Sequence, residues 1–74
     1  MGIVNDQWVT NLMNSWKSTN YSRPPQGEIV EIRHWDPENE MEVIKDAWLN
    51  KNDNWTDESD IIIKERYVNW WRYK

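Results

Sequence analysis

Few side chains in this sequence have the types and spacing needed for chemistry. His34 is the one histidine, and the chain has no cysteine. An ordinary zinc site needs several such ligands, so none is expected. His34 lies in the run Val30-Glu31-Ile32-Arg33-His34-Trp35, on the face of the two β-branched residues. That context suits a hydrogen-bonded structural imidazole better than a catalyst. The carboxylates Asp53, Asp57, Glu58 and Asp60 cluster, but no apolar residues flank them closely enough to raise a pKa for acid–base work. Their spacing also fails the pattern of a calcium loop, which needs a central glycine. Gly2 and Gly27 are the two glycines, so there is no glycine-rich phosphate cradle. The sequence therefore reads as that of a non-enzyme, with no cofactor and no metal.

Aromatic residues are the feature in excess. Seven tryptophans and three tyrosines occur in 74 residues, with no phenylalanine. A chain this short buries only about 60% of the surface that its unfolded form exposes. Each tryptophan can bury roughly 150–250 Å², so several must build the core. Seven exceed what so small a core encloses, and those left outside are candidate contact residues. Neighbours in a strand point to opposite faces, so Trp70 and Trp71 cannot both enter one core. The candidate partner-binding set is Trp35, Tyr67, Trp70, Trp71 and Tyr73.

Three kinds of partner fit this set. The first is a protein, met by exposed aromatics beside acidic groups. The second is single-stranded nucleic acid, because Lys64, Arg66, Arg72 and Lys74 interleave with Tyr67, Trp70, Trp71 and Tyr73 as a stacking platform requires. In the third, Glu38, Glu40, Glu42, Asp53, Asp57, Glu58 and Asp60 would mimic the charge of nucleic acid itself. The net charge of −4 and pI near 4.8 disfavour non-specific binding to nucleic acid or an anionic membrane. They are also low for a charge mimic. The protein partner ranks first, and a homodimer is compatible with it.

The elements that position these residues can be read from periodicity. Residues 5–16 read as a helix: Asn5 or Asp6 offers an N-cap, and Trp8, Leu12 and Trp16 form a stripe with Val9 and Met13 beside it. Lys17 to Ser22 is turn-like, and Pro24-Pro25-Gln26-Gly27 forms a stiff turn. Strands are expected over residues 28–35, 40–49 and 61–70, with Trp55 opening a further short one. Asp36-Pro37-Glu38-Asn39 turns the first hairpin. Residues 40–49 contain helix formers, but the alternation of Met41, Val43, Ala47 and Leu49 favours a strand, with Lys45 the exception on that face. Thr56 to Asp60 reads as exposed, and Arg72-Tyr73-Lys74 as frayed. The expected fold is a single α+β domain over residues 1–74, an N-terminal helix packed on a three- or four-stranded antiparallel sheet. Its expected core includes Val30, Ile32, Val43 and Ile63.

The run Trp16 … Pro24-Pro25-x-Gly27-x-x-Val30-x-Ile32 … Ala47-Trp48 … Trp55 … Ile61 … Val68-x-Trp70 resembles a family of small phage and prophage domains of unknown function. The likeness covers about three quarters of the chain. It departs at Pro24-Pro25, where the family has Leu-Pro, and at Asp36-Pro37, where the family has a bare glycine turn. The resemblance implies a phage or prophage source and no mechanism. With it goes the expectation of a modulator or inhibitor of a host protein. No run approaches the roughly 18 apolar residues of a membrane span. The first residues lack the basic and apolar regions of a signal peptide, so a soluble cytoplasmic protein is expected.

Overall fold

The computed structural model describes residues 15–74. Six strands form one antiparallel sheet: β1 (Lys17–Ser18), β2 (Val30–Asp36), β3 (Met41–Leu49), β4 (Trp55–Asp57), β5 (Ile62–Ile63) and β6 (Val68–Tyr73). The spatial order is β1-β6-β2-β3-β4-β5. β2 to β5 thus form a meander, and the chain then returns to place β6 on the other side of β2. A 3-10 turn, Glu65–Tyr67, makes that return.

Register decides which residues meet. Val30 faces Ala47 and Tyr73, and Ile32 faces Lys45 and Trp71. Leu49 faces Trp55, which faces Ile63. Because strand side chains alternate, these residues share one face. There Val30, Ile32, Ala47, Leu49, Trp55, Ile63, Val68 and Trp71 are buried and form the core. Val68 and Trp71 are three apart, an odd step that would send them to opposite faces. A register shift on β6 solves this: Trp70 pairs with Arg33 but Val68 pairs with His34, leaving Asn69 as the extra residue of a bulge.

The architecture corrects the expected α+β fold. There are six strands and no α-helix among the described residues. Residues 5–14 of the expected helix lie outside the described residues. Trp16, which was to close the helix stripe, lies instead against two arginines of the sheet. The inner face is covered by the connector between β1 and β2. Pro24 is buried, Ser22 accepts the Trp71 indole N–H at 3.0 Å, and Gly27 N–H donates to the Leu49 carbonyl at 2.8 Å. Arg23 pairs with Glu65 and ties the connector to the returning 3-10 turn. Among the described residues, a proline-stiffened strap thus lies over the core.

Other boundaries also move. Residues 61–70 are two strands separated by a 3-10 turn rather than one strand. Thr56 and Asp57 are buried rather than exposed. Arg72 and Tyr73 belong to β6 in the middle of the sheet, and Lys74 reaches Asp46 at 2.6 Å, so this end is held rather than frayed. Val43 is half-buried. Strand β3, chosen over a helix for residues 40–49, forms as Met41–Leu49.

Candidate functional site

The outer face of the sheet carries the other set of alternating residues. Trp70, Arg33 and Ile44 lie in one row across β6, β2 and β3, since Arg33 pairs with both neighbours. Arg72, Glu31 and Asp46 form the next row, and Trp35 and Glu42 stand beyond the first on the opposite side. Trp35 is 39% exposed, Trp70 38% and Ile44 53%. Large apolar groups left in water on one face are the mark of a contact surface.

The charges among them are paired. Arg33 Nη2 lies 2.6 Å from Glu42 Oε2, and Arg72 Nε lies 2.7 Å from Glu31 Oε1. Lys74 Nζ lies 2.6 Å from Asp46 Oδ2, which raises the Lys74 pKa through that hydrogen bond and the Asp46 charge. Trp16 sits beneath both arginines, its ring 4.3 Å from the Arg72 guanidinium carbon and 5.4 Å from that of Arg33. Cation–π contact and ion pairing together fix the guanidinium planes. The face is therefore a neutral, ordered mosaic with aromatic and aliphatic groups between the pairs.

The five residues singled out by sequence divide. Trp35 and Trp70 share the outer face. Trp71 is 2% exposed and belongs to the core. Tyr73 is half-buried and meets the Trp71 ring edge-on, with centroids 5.0 Å apart and planes at 81°. Tyr67 is half-buried in the 3-10 turn, stacked under Arg66 at 5.0 Å. Trp16 and Ile44 complete the site and were not singled out. For Ile44 the signal was available: it alternates with Val43 and so shares the face of Arg33 and Trp35. Nothing in the sequence places Trp16 against two arginines far along the chain.

The polar groups at the mouth of the inner face make a second cluster. Lys45 Nζ lies 3.0 Å from Asp57 Oδ2, which accounts for the one cation on the apolar face of β3. Asp57 Oδ1 also accepts the backbone N–H groups of Ser59 and Ile61 and so builds the β4–β5 turn. Burial pushes its carboxyl up, but Lys45 and these N–H groups outweigh that and leave its pKa lowered. His34 is buried beside them, and its Nε2 has no hydrogen-bond partner among the described residues. No group of three or more His, Asp or Glu among the described residues could hold a metal. No helix among them is long and apolar enough to cross a membrane.

Three residues of the acidic stripe are engaged within the fold. Asp57 is internal, Glu42 is neutralised by Arg33, and Asp53 accepts from Gln26 at 2.6 Å. Comparison of the chain with protein-family models, with curated proteins and with solved structures finds no match.

Proposed function

We propose that this protein is a small non-enzymatic protein-binding module, and that its partner docks on the outer face of the sheet. The observation that carries this reading is the exposure of Trp35, Trp70 and Ile44 together on that face. Aromatic anchors of this kind, with polar groups around them, supply most of the energy at protein interfaces. Paired charges favour a protein over nucleic acid. Each guanidinium on the face already holds a carboxylate, so a phosphate would have to displace Glu31 or Glu42. Glu38 and Glu40 on the neighbouring hairpin are exposed and add acidic character at one border, which favours a partner with a basic rim. The sequence resemblance to phage-borne domains supports a host protein as that partner, with the module acting as its modulator in the host cytoplasm.

The test is affinity capture from bacterial lysate with nuclease present, followed by titration of the captured protein. Trp70→Ala and Trp35→Ala should each weaken binding by about 30-fold or more, the loss expected for a central anchor. Both variants must keep the far-UV circular dichroism of the parent. Unchanged affinity in both variants would sink this reading. So would tight binding of single-stranded oligonucleotides that falls steeply with salt.

A further inference from the structure

Strand β5 forms one edge of the sheet, and its backbone is arranged to accept another strand. The Asp57 N–H donates to the Ile61 carbonyl at 3.1 Å, and the Ile61 N–H donates to Asp57 Oδ1 at 3.1 Å. Ile61 therefore directs both backbone groups toward β4. In an antiparallel ladder this direction alternates, so Ile62 directs its N–H and carbonyl the other way, to the open edge. The side chains along this edge are apolar and exposed, Ile61 at 59% and Ile62 at 51%. An aliphatic edge strand that turns backbone groups outward is a template for pairing.

We infer that the occupant of this edge is a second copy of the chain, joined antiparallel about a two-fold axis through Ile62. The sequence around the edge is self-complementary: Asp60-Ile61-Ile62-Ile63-Lys64. Antiparallel pairing of two such segments sets Ile62 opposite Ile62, with two reciprocal backbone hydrogen bonds. It also sets Ile61 opposite Ile63, and the acid Asp60 opposite the base Lys64, twice by symmetry. A parallel or shifted register loses the charge match. This is the isologous arrangement that a two-fold dimer needs. The edge is short. Asp60 has a φ of 60° and Lys64 leads into the 3-10 turn, so the ladder ends at these two positions. The contact is correspondingly small, and the dimer is a weak, concentration-dependent one.

Pairing at β5 also has a consequence for the outer face. Trp48, Thr56 and Ile62 lie in one row across β3, β4 and β5. Joining Ile62 to its counterpart extends that row across both copies and places the two outer faces on one continuous sheet. The inference stands apart from the docking of a partner: a protein that stays monomeric yet binds through Trp70 loses only the dimer.

Sedimentation velocity over about 5 µM to 1 mM reads the association, a range chosen for a contact of this size. The protein should pass from monomer to dimer across it. Ile62→Lys should remain monomeric with unchanged circular dichroism. Lys64→Glu alone and Asp60→Lys alone should each be monomeric, because each sets like charges opposite. An equal mixture of the two should recover a dimer within about threefold of the parent's Kd, since mixing restores both charge pairs. A parent monomeric at 1 mM, a dimer indifferent to Ile62→Lys, or a mixture of folded charge variants that stays monomeric would each overturn the proposal.

Discussion

At the scale of single residues, His34 joins the fold to pH. Its pKa is lowered from the ordinary 6.5, first by burial and then by the Lys45 charge. Asp36, Asp57 and the Trp35 backbone act in the opposite direction but do not prevail. The folded protein thus prefers the neutral imidazole, and a proton binds more readily after unfolding. A group with a depressed folded pKa contributes stability that is fully present above its unfolded value. That contribution is lost as pH falls through the folded value. The melting temperature should therefore drop between about pH 7 and pH 5 as the unfolded chain takes up this proton. Asp57, whose pKa lies below the ordinary 3.8, stays ionised over that interval and does not contribute to the drop. His34→Leu should flatten the profile across the same interval, because it removes the titrating ring. Calorimetry of both proteins at pH 7.5 and 5.5 checks this, and equal drops in the two would refute the assignment. The place of His34 on the core face was legible from its alternation with Val30 and Ile32. The Lys45–Asp57 pair was not, because a lysine on an apolar face gives no sign of which carboxylate it meets.

At the scale of elements, the strands of the meander were legible and the turns and breaks less so. The alternation of β2 and β3 carried their register, since each has one apolar face. The break between β5 and β6 shows in the packing: Ile63 and Val68 are both buried and five residues apart, an odd step that a strand without a bulge cannot put on one face. The strap over the core could not be read, because Pro24 is covered through the Gly27–Leu49 and Trp71–Ser22 hydrogen bonds, which span distant parts of the sequence. Turn chemistry leads to a second prediction. The β2–β3 turn is held by Asp36, whose Oδ1 accepts the Glu38 N–H at 3.0 Å, as its Asp-Pro sequence suggests. At the end of that turn Glu40 has a φ of 51°, a left-handed conformation that costs an ordinary side chain about 1–2 kcal/mol. Gly27 meets the same demand at φ 82° with the residue suited to it. Glu40→Gly should stabilise the protein by about 0.5–1 kcal/mol, the relief of strain less the added entropy of the unfolded chain. Gly27→Ala should destabilise by about 1–2 kcal/mol although no atom lies within 4 Å of the new methyl, because the backbone alone objects. Denaturant titrations of the two variants should move in opposite directions.

At the scale of the whole molecule, one six-stranded sheet divides its aromatic residues between two tasks. The inner face closes the core without disulfides, and the outer face keeps large apolar groups partly in water. Adjacent residues on β6 make the division testable. Trp71 is enclosed by the core, its indole N–H bound to the Ser22 carbonyl and its ring edge against Tyr73. Removing it deletes a buried aromatic and orphans a carbonyl of the strap, so Trp71→Ala should cost about 3–5 kcal/mol. A domain of this size has a total stability of order 5 kcal/mol, and that loss approaches unfolding. Trp70 stands one residue earlier on the exposed face, where nothing in the core depends on it. Trp70→Ala should cost no more than about 1 kcal/mol, as expected for a surface position. The same substitution should still weaken binding of the partner by about 30-fold or more, which separates binding from folding at two neighbouring positions. Equilibrium unfolding in urea, followed by far-UV circular dichroism, measures both changes. Comparable losses at the two positions would mean that both rings build the core, and the outer face would then lose its standing as a docking surface.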